Sequence, residues 1–532
     1  MKQRILSATG GIVALALGLS LTPSGGAQAQ APAEKVLRIA ASANIKVLDP
    51  GFTSAYITRN FGYMVYDTLF SQDSKGRPRP QMVSSYETSK DGLNWKFKLR
   101  PGLKFSDGTP VTPVDVVASI KRWAARDNVG VAMTAAGGDW TVLGSDGFML
   151  QLKEPFAPVL EAISKPSSFP LFVMPERLAR NPPTKPLEEV VGSGPFIFKR
   201  DEWVPGNKLI FTRNPAYVPR AEAADGLSGG KKPNFTRVEW LYLPDTNSAI
   251  AALKNGEIDL IERVPPDYVA ALRADPKLKV GLADSSQGLM VMNHLHPPFD
   301  NPKVRRALLQ AVDQKKFMSG LGATADMRVP HCATYFVCGE AGATEAGSRP
   351  YVTPSVEKAK TLLAQSGYKG EKVVLLVPTD NPALNAAALV AAQTLREVGF
   401  VVDEKNMAWS NLIARRTKRD LPDAGGWNMY LTVAGQFDLG SPITHAYLAA
   451  ACGNNSPGWP CDKRLDELRV DWVRAPTAAR RAQLLDAFHE QAFQSVPYIS
   501  FGQYSAAFAA RKELRNTEMI WAGLPSIWML DK

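Results

Sequence analysis

The side chains that could perform catalysis or bind a metal are few and scattered. Gly192-Ser193-Gly194 lacks the spacing of a G-x-S-x-G nucleophile turn. Gly229-Gly230-Lys231 lacks the spacing of a phosphate-binding loop, and His489-Glu490 has no second histidine four residues on from His489. His294 and His296 could share a metal, and the alternative is a solvated pair beside a loop. These residues predict binding rather than catalysis, with no catalytic residue, metal or cofactor.

Four cysteines form two close pairs, Cys332 with Cys338 and Cys452 with Cys461. Disulfides within each pair are the simplest arrangement because short loops close readily, although four cysteines allow three pairings. A metal site that includes His331 is the rival interpretation, but its spacing is not that of a known zinc site. Disulfides would require an oxidising compartment.

The N-terminus has the pattern of an export signal. Lys2 and Arg4 precede an uncharged, mostly apolar run, and Ala27-Gln28-Ala29 fits a cleavage site. A membrane anchor is the weaker alternative because several glycines dilute the apolar run. The sequence therefore predicts a signal peptide over residues 1–29, a mature chain that begins at Gln30, and a periplasmic location.

Size and composition indicate a globular protein with more than one core. The chain has 532 residues, of which 45% are hydrophobic and 21% charged. Its formal net charge is +11, but the basic residues are scattered rather than clustered with aromatic residues. This pattern argues against nucleic acid as a partner and favours acidic ligands or an anionic membrane surface.

Local patterns predict several elements. Apolar and polar residues alternate over Leu93–Leu99, which predicts a strand, and Thr112-Pro113-Val114-Asp115 predicts the capped start of a helix. Further on, Val373–Val377, Pro382–Val398 and Phe400–Asp403 predict a strand, a helix and a second strand parallel to the first. Three segments rich in small or polar residues are expected to be surface loops: 180–186, 220–233 and 339–350.

Several phrases of the sequence carry a family resemblance. They include W-K-F-K-L-R-P-G-L-K-F-S-D-G-T-P-V-T-P-V-D-V (95–116), G-S-G-P-F (192–196), L-K-N-G-E-I-D (253–259) and F-D-N-P-K-V-R-R-A-L-L-Q-A-V-D (299–313). In this wording and order they closely resemble the extracellular solute-binding proteins of peptide- and nickel-type ABC importers, family 5, which include the dipeptide- and oligopeptide-binding proteins. The resemblance runs from about Leu37 to about Tyr504.

The resemblance implies an α/β fold of the large, two-lobed periplasmic-binding-protein type (class II, cluster C). Two strands would cross between the lobes at hinges near Gln287–Met292 and Pro497–Gly502. Lobe I would span residues 30–290 with an extra subdomain, and residues 500–532 would return to it. Lobe II would span residues 291–499.

The implied function is capture of a peptide-like or other small solute between the lobes, and its delivery to an ABC permease in the inner membrane. The protein would act as a monomer. A secreted hydrolase is one alternative, but it would require a nucleophile–base pair or a metal cluster. A binding protein that serves as a chemoreceptor ligand carrier or a chaperone is another, because a fold does not fix a function.

The resemblance also suggests ligand-binding residues. Peptide-binding relatives pair the ligand amine with a carboxylate in a "G-W-x-x-D" phrase. Here, after Gly426-Trp427, an ungapped alignment places Phe437 at that position, and a one-residue shift places Asp438 there. Asp438 is therefore either the amine partner or an ordinary loop acid. Asn44, in the family's first-lobe ligand loop, is a further candidate ligand contact. Trp409 and Gln503 are others, although for a tryptophan a position in the core is the commoner alternative.

Overall fold

The computed structural model describes residues 34–340, 342–453, 456–520 and 526–532. The signal peptide predicted over residues 1–29 lies outside these residues. The strands are β1 (Val36–Ala40), β2 (Asp67–Thr68), β3 (Phe70–Gln72), β4 (Pro78–Pro80), β5 (Val83–Thr88), β6 (Asn94–Leu99), β7 (Asp139–Leu143), β8 (Gly147–Gln151), β9 (Phe172–Val173), β10 (Phe196–Phe198), β11 (Lys208–Arg213), β12 (Arg237–Leu241), β13 (Leu260–Val264), β14 (Leu278–Met292), β15 (Lys372–Pro378), β16 (Val401–Met407), β17 (Met429–Gly435) and β18 (Ile499–Arg511).

Helices occupy much of the remaining described chain. They are α1 (Tyr56–Val65), α2 (Pro113–Ala124), α3 (Asn128–Ala135), α4 (Val159–Ile163), α5 (Glu176–Ala179), α6 (Thr246–Asn255), α7 (Pro266–Arg273), α8 (Pro302–Ala311), α9 (Gln314–Gly320), α10 (Val356–Ala364), α11 (Pro382–Val398), α12 (Trp409–Arg415), α13 (Lys463–Arg474) and α14 (Ala478–Ser495). Among the described residues, none of these helices combines the length and apolar character needed to cross a membrane.

One large sheet runs through the molecule in the order β10-β11-β12-β1-β13-β18-β14-β17-β15-β16. Its two longest strands, β14 and β18, are antiparallel neighbours and have 15 and 13 residues. We call residues 35–277 the N-terminal part and residues 293–498 the central part. Strands of the N-terminal part lie on the β18 side of this pair, and strands of the central part lie on the β14 side.

The N-terminal part also contains a separate antiparallel sheet, β5-β6-β8-β7. The predicted strand around Phe97 is β6, and the predicted helix is α2. Thr112 accepts a hydrogen bond from the Asp115 amide, and the Asp115 side chain accepts one from the Thr112 amide. This reciprocal capping box satisfies two amides at the helix start, so the prediction from these four residues is confirmed.

The central part contains the predicted strand–helix–strand unit. β15 and β16 pair in parallel, and α11 connects them. The helix ends at Gly399, whose φ of 111° is a conformation that residues with a Cβ seldom adopt. The predicted parallel pair and the bounds of the helix are both confirmed.

One expected surface loop is in fact partly buried. Residues 220–233 have no regular secondary structure, as predicted, but the stretch from Gly226 to Lys231 lies in the interior. The Lys231 ammonium is 2.8 Å from the Asp67 carboxylate, and both side chains are almost fully inaccessible to solvent. Tyr217 donates a second hydrogen bond to the same carboxylate at 3.0 Å. The expected surface position is wrong because this buried ion pair draws the segment inward.

Candidate ligand-binding cleft

A cavity of about 730 Å³, called the cleft below, is lined by residues from both the N-terminal and the central part. The N-terminal part contributes the starts of α1 and α3, and the central part contributes α12, β17 and the segment after β17. Small-molecule sites typically have volumes of about 300–1,000 Å³. The charged and aromatic residues that line the cleft are Tyr56, Arg59, Arg126, Asp127, Lys165, Phe169, Arg263, Trp409, Arg416, Asp438 and Tyr447.

Helix α1 presents Tyr56 and Arg59 to the cleft. Because they are three residues apart, their side chains are neighbours on one helix face. The Arg59 guanidinium lies 4.4 Å from the centre of the Tyr56 ring, a cation–π contact. It also donates to Oδ1 of Asn60 at 2.9 and 3.0 Å. These contacts fix a positive charge at the wall of the cleft.

Asp438 faces the cleft from the central part. Its carboxylate accepts a hydrogen bond from the Tyr56 hydroxyl, and the Gly435 amide donates to that hydroxyl at 3.1 Å. Burial, followed by the charge of Asp438, raises the pKa of Tyr56 far above its ordinary value, so the hydroxyl remains a donor. Phe437 instead packs, half-buried, against the hydrophobic core of the N-terminal part. Of these two neighbours, Asp438 is the one that lines the cleft.

Helix α12 and the residue that follows it contribute an aromatic ring and a cation to the cleft. Trp409 begins the helix, and its backbone amide donates to Oδ1 of Asp380 at 2.6 Å. Ala408, at the N-cap position of α12, has no side-chain acceptor, so the Asp380 carboxylate accepts from the first amide of the helix instead. Arg416 follows the last helical residue, and its guanidinium lies 5.7 Å from the centre of the Tyr430 ring. The helix therefore places an aromatic ring and a cation at the same cavity.

Asn44 and Gln503 are not among the described residues that line the cleft. Asn44 is half-buried one residue beyond Ala43, which does line it. Gln503 is buried in β18, and its amide nitrogen donates to Oγ of Ser285 at 2.7 Å and to the Cys338 carbonyl at 3.1 Å. Gln503 thus joins β18 to the segment that contains Cys338.

A buried ion pair forms part of the cleft wall. Lys165 lies 2.6 Å from the Asp127 carboxylate, and both side chains are inaccessible to solvent. Asp127 also caps α3 by accepting from the amides of Val129 and Gly130. Lys165 donates to the Ser167 carbonyl at 2.7 Å. The ion pair therefore stabilises the local structure of the cleft wall.

Tyr56, Arg59, Arg126 and Arg416 are cleft residues that sequence reasoning did not identify. Each lies in or beside a helix with no motif around it. The four segments are separated in sequence, and only the folded chain brings them to one cavity. The one local signal is the three-residue spacing of Tyr56 and Arg59, which places a ring and a cation on one helix face.

Both cysteine pairs are joined as disulfides, Cys332–Cys338 and Cys452–Cys461. His294 and His296 lie in the loop after β14, and each contacts a backbone carbonyl through Nε2, those of Pro497 and Arg419. In the part of the chain that the structure describes, no three potential metal ligands of the His, Cys, Asp and Glu types are grouped together.

The two parts also touch beside the cleft. The Ala157 amide donates to the Val473 carbonyl at 2.8 Å, and the Arg474 guanidinium donates to the Glu154 carboxylate. Trp472 and Val473 of α13 pack against the core of the N-terminal part. With the Tyr56–Asp438 bond, these contacts bring the central part onto the N-terminal part.

Comparison with known sequences identifies close relatives. The profile of the bacterial extracellular solute-binding proteins, family 5 (middle region), matches residues 77–457. A probable peptide ABC transporter periplasmic-binding protein of Sinorhizobium fredii, y4tO, is 35% identical over 514 residues, covering 95% of each chain. The glutathione-binding protein GsiB of Escherichia coli is 24% identical over 521 residues, covering 92% of each chain.

Solved structures share the fold. The PBP AgaA from A. tumefacien R10, in complex with agropinic acid, matches with a TM-score of 0.77 and 24% identity, over 93% of this chain and 98% of that one. DppA from Helicobacter pylori, in complex with a peptide, matches with a TM-score of 0.76 and 20% identity, over 93% of this chain and 98% of that one. The expected α/β, two-lobed periplasmic-binding-protein fold is confirmed.

Proposed function

The chain belongs to the bacterial extracellular solute-binding proteins of family 5, and from this premise we propose that it is the periplasmic substrate-binding component of an ABC importer. It is a solute-binding protein. In our proposal, a monomer captures a peptide-like or other small solute in the cleft and delivers it to a permease in the inner membrane, without catalysing a reaction.

The observation that carries this proposal is the composition of the cleft wall. Tyr56 and Asp438 lie 382 residues apart in the sequence and are hydrogen-bonded across the cleft. A solute held there contacts both parts at once, so its binding stabilises their approach. Capture between lobes needs this arrangement. Trp409 and Asp438 remain candidate ligand contacts.

We propose that the lobes correspond to residues 30–290 with 500–532, and to residues 291–499. The support is the sheet order, in which β14 and β18 are the strands shared between the two sides. The signal peptide would direct export and be cleaved after Ala29, as the N-terminal pattern predicts. N-terminal sequencing of periplasmic material tests this, and an uncleaved chain in the membrane fraction would contradict it.

The transport role can be tested on protein purified from the periplasm. Native mass spectrometry is expected to show a co-purified small molecule at a ratio of one to one. Calorimetry on protein stripped by unfolding and refolding is then expected to show rebinding of the extracted molecule. A deletion strain is expected to lose its uptake. The transport role is overturned if uptake of the bound molecule is unchanged in that strain.

A further inference from the structure

The cleft carries more positive than negative side chains. Its basic residues outnumber its acids, Asp127 and Asp438, and are Arg59, Arg126, Lys165, Arg263 and Arg416. The Asp127–Lys165 ion pair is internally balanced, with its two charges 2.6 Å apart. The charge of Glu262 acts on both Arg59 and Arg263. With those two set aside, Arg126 and Arg416 face one carboxylate, that of Asp438. A solute enclosed there meets a net positive environment.

The remaining carboxylate already has a partner from the protein. Asp438 accepts the Tyr56 hydroxyl, whose proton is retained because burial raises the pKa of Tyr56. Asp438 is therefore engaged in holding the two parts together. Its single charge is also outweighed by those of Arg126 and Arg416, which line the same cavity.

Arg416 is placed to meet an anion from the central part. It is half-buried, and its Nε is inaccessible to solvent and has no hydrogen-bond partner. Within the described residues, no carboxylate lies within 4.0 Å of its guanidinium. The ring of Tyr430, with its centre 5.7 Å from the guanidinium, supports the side chain from one side. A buried N–H donor without an acceptor costs free energy, and a ligand that accepts a hydrogen bond from it removes that cost.

Arg126 meets the cleft from the N-terminal part. It donates to the Phe52 carbonyl at 3.1 Å, and its guanidinium lies 5.8 and 5.7 Å from the ring centres of Phe52 and Phe169. The two rings orient the guanidinium without neutralising it. In the described part of the chain, no acid forms an ion pair with Arg126 either. A guanidinium presents a fork of N–H groups that matches a carboxylate.

Resting on the proposed function, we propose that the transported solute is an organic anion, a small peptide or amino-acid derivative that carries more carboxylates than amines. One carboxylate pairs with Arg126 and another with Arg416. Because the two arginines lie on different parts of the chain, a dianion joins them and favours the approach of the two lobes. This assigns recognition to the arginines rather than to pairing of an amine with Asp438.

Three tripeptides that differ at one side chain test the charge preference: Ala-Glu-Ala, Ala-Gln-Ala and Ala-Lys-Ala. In calorimetry on stripped protein at low salt, Ala-Glu-Ala is expected to bind about tenfold or more tightly than Ala-Gln-Ala, and Ala-Lys-Ala least tightly. The advantage of the acidic peptide is expected to shrink as salt is added.

Variants locate the effect. Arg126→Gln and Arg416→Gln are each expected to weaken binding of Ala-Glu-Ala by about tenfold or more. Ala-Gln-Ala keeps only its C-terminal carboxylate, so just one of the two variants is expected to weaken its binding. Arg416→Lys keeps the positive charge but loses the planar set of N–H donors. Its affinity for Ala-Glu-Ala is expected to lie between those of wild type and Arg416→Gln. Arg180→Gln is the matched control, since Arg180 is exposed and pairs with Glu176 outside the cleft. Circular dichroism confirms that each variant folds.

The outcomes separate the anion proposal from the transport role. Equal binding of the Glu and Gln peptides, or a preference for the Lys peptide, overturns the anion proposal and leaves solute capture standing. If none of the peptides binds, methyl esterification of the co-purified molecule counts its carboxyl groups, and fewer than two overturn the anion proposal. The proposed function itself fails if no peptide binds and no small molecule co-purifies.

Discussion

At the scale of single residues, the Tyr56–Asp438 hydrogen bond separates two modes of recognition. Tyr56→Phe removes the donor that joins the two parts, and hydrogen bonds to charged groups contribute about 1.5–3 kcal/mol. Affinity for the co-purified solute is therefore expected to fall by roughly tenfold or more. Asp438→Asn keeps an acceptor for Tyr56 and removes the negative charge, so its loss is expected to be smaller.

The order of these two losses is the informative result. If Asp438 paired with a ligand amine, Asp438→Asn would cost about 2–5 kcal/mol, the usual cost of breaking a buried charge pair, and would exceed the loss from Tyr56→Phe. Calorimetry on both variants with the same ligand decides. A larger loss for Asp438→Asn would restore amine recognition and contradict the anion proposal.

The Asp67–Lys231 pair allows a second residue-scale prediction, on stability. Lys231→Met leaves the buried Asp67 carboxylate with neutral hydrogen-bond donors, namely the Thr68 amide, the Tyr217 hydroxyl and the Gln81 side chain. Removing one member of a buried ion pair costs about 3–5 kcal/mol. The midpoint of urea unfolding is expected to fall clearly.

The exposed pair Lys360–Glu357 is the matched control for this measurement. Because surface ion pairs contribute about 0–1 kcal/mol, Lys360→Met is expected to change the midpoint little. Similar midpoints for Lys231→Met and Lys360→Met would show that the buried pair does not stabilise the fold.

At the scale of helices and strands, the sequence predicted the features that neighbouring residues determine. The capping box of α2 and the Gly399 stop of α11 involve residues close together in sequence, so the sequence alone specifies them. Lys231 has a partner more than 160 residues away, and Arg126 and Arg416 meet only through the fold. No local pattern marks such residues. The family wording pointed to the segment of Asp438, which lines the cleft, and the roles of Asp438 and Trp409 in ligand binding stay predictions.

Helix α14 gives a pH prediction at the element scale. His489 accepts hydrogen bonds from the Tyr335 amide at 3.2 Å and the Thr334 hydroxyl at 2.9 Å, and His445 contacts Tyr335 and Tyr498. Burial lowers the pKa of His445 to about 3 and that of His489 to about 4. Both imidazoles are therefore neutral in the folded protein near pH 5.

The sign of the effect follows from proton binding. In the unfolded chain both histidines titrate near pH 6.5, so the unfolded state binds more protons as the pH falls from about 6.5 towards 4. Each histidine removes up to about 1.4 kcal/mol of stability per pH unit in this window. His489→Gln is expected to flatten the fall in melting temperature. The exposed His331→Gln is the control, and an equal slope for His489→Gln and wild type would contradict this account.

At the scale of the whole molecule, the junction of β14 and β18 is the place where closure can be altered. Gly288 and Gly502 face each other across the two strands, and the pairing shifts register immediately after Gly288. Gly502 has a φ of +131°, and a Cβ at Gly288 would lie 2.0 Å from the buried Phe501 ring. The two glycines therefore allow β14 and β18 to approach each other closely at the point where we propose that the lobes hinge.

Replacing Gly288 by alanine is expected to affect both stability and motion. The added methyl group displaces the Phe501 ring, and overpacking of this kind costs about 1–3 kcal/mol. Because the displaced ring lies at the proposed hinge, the ligand-induced decrease in radius of gyration, measured by small-angle scattering, is expected to be smaller than in wild type. Gly453→Ala, where the nearest atom to a new Cβ lies at 3.9 Å, is the control. If Gly288→Ala matched Gly453→Ala in both unfolding midpoint and ligand-induced compaction, the hinge would have to lie elsewhere along the crossing strands.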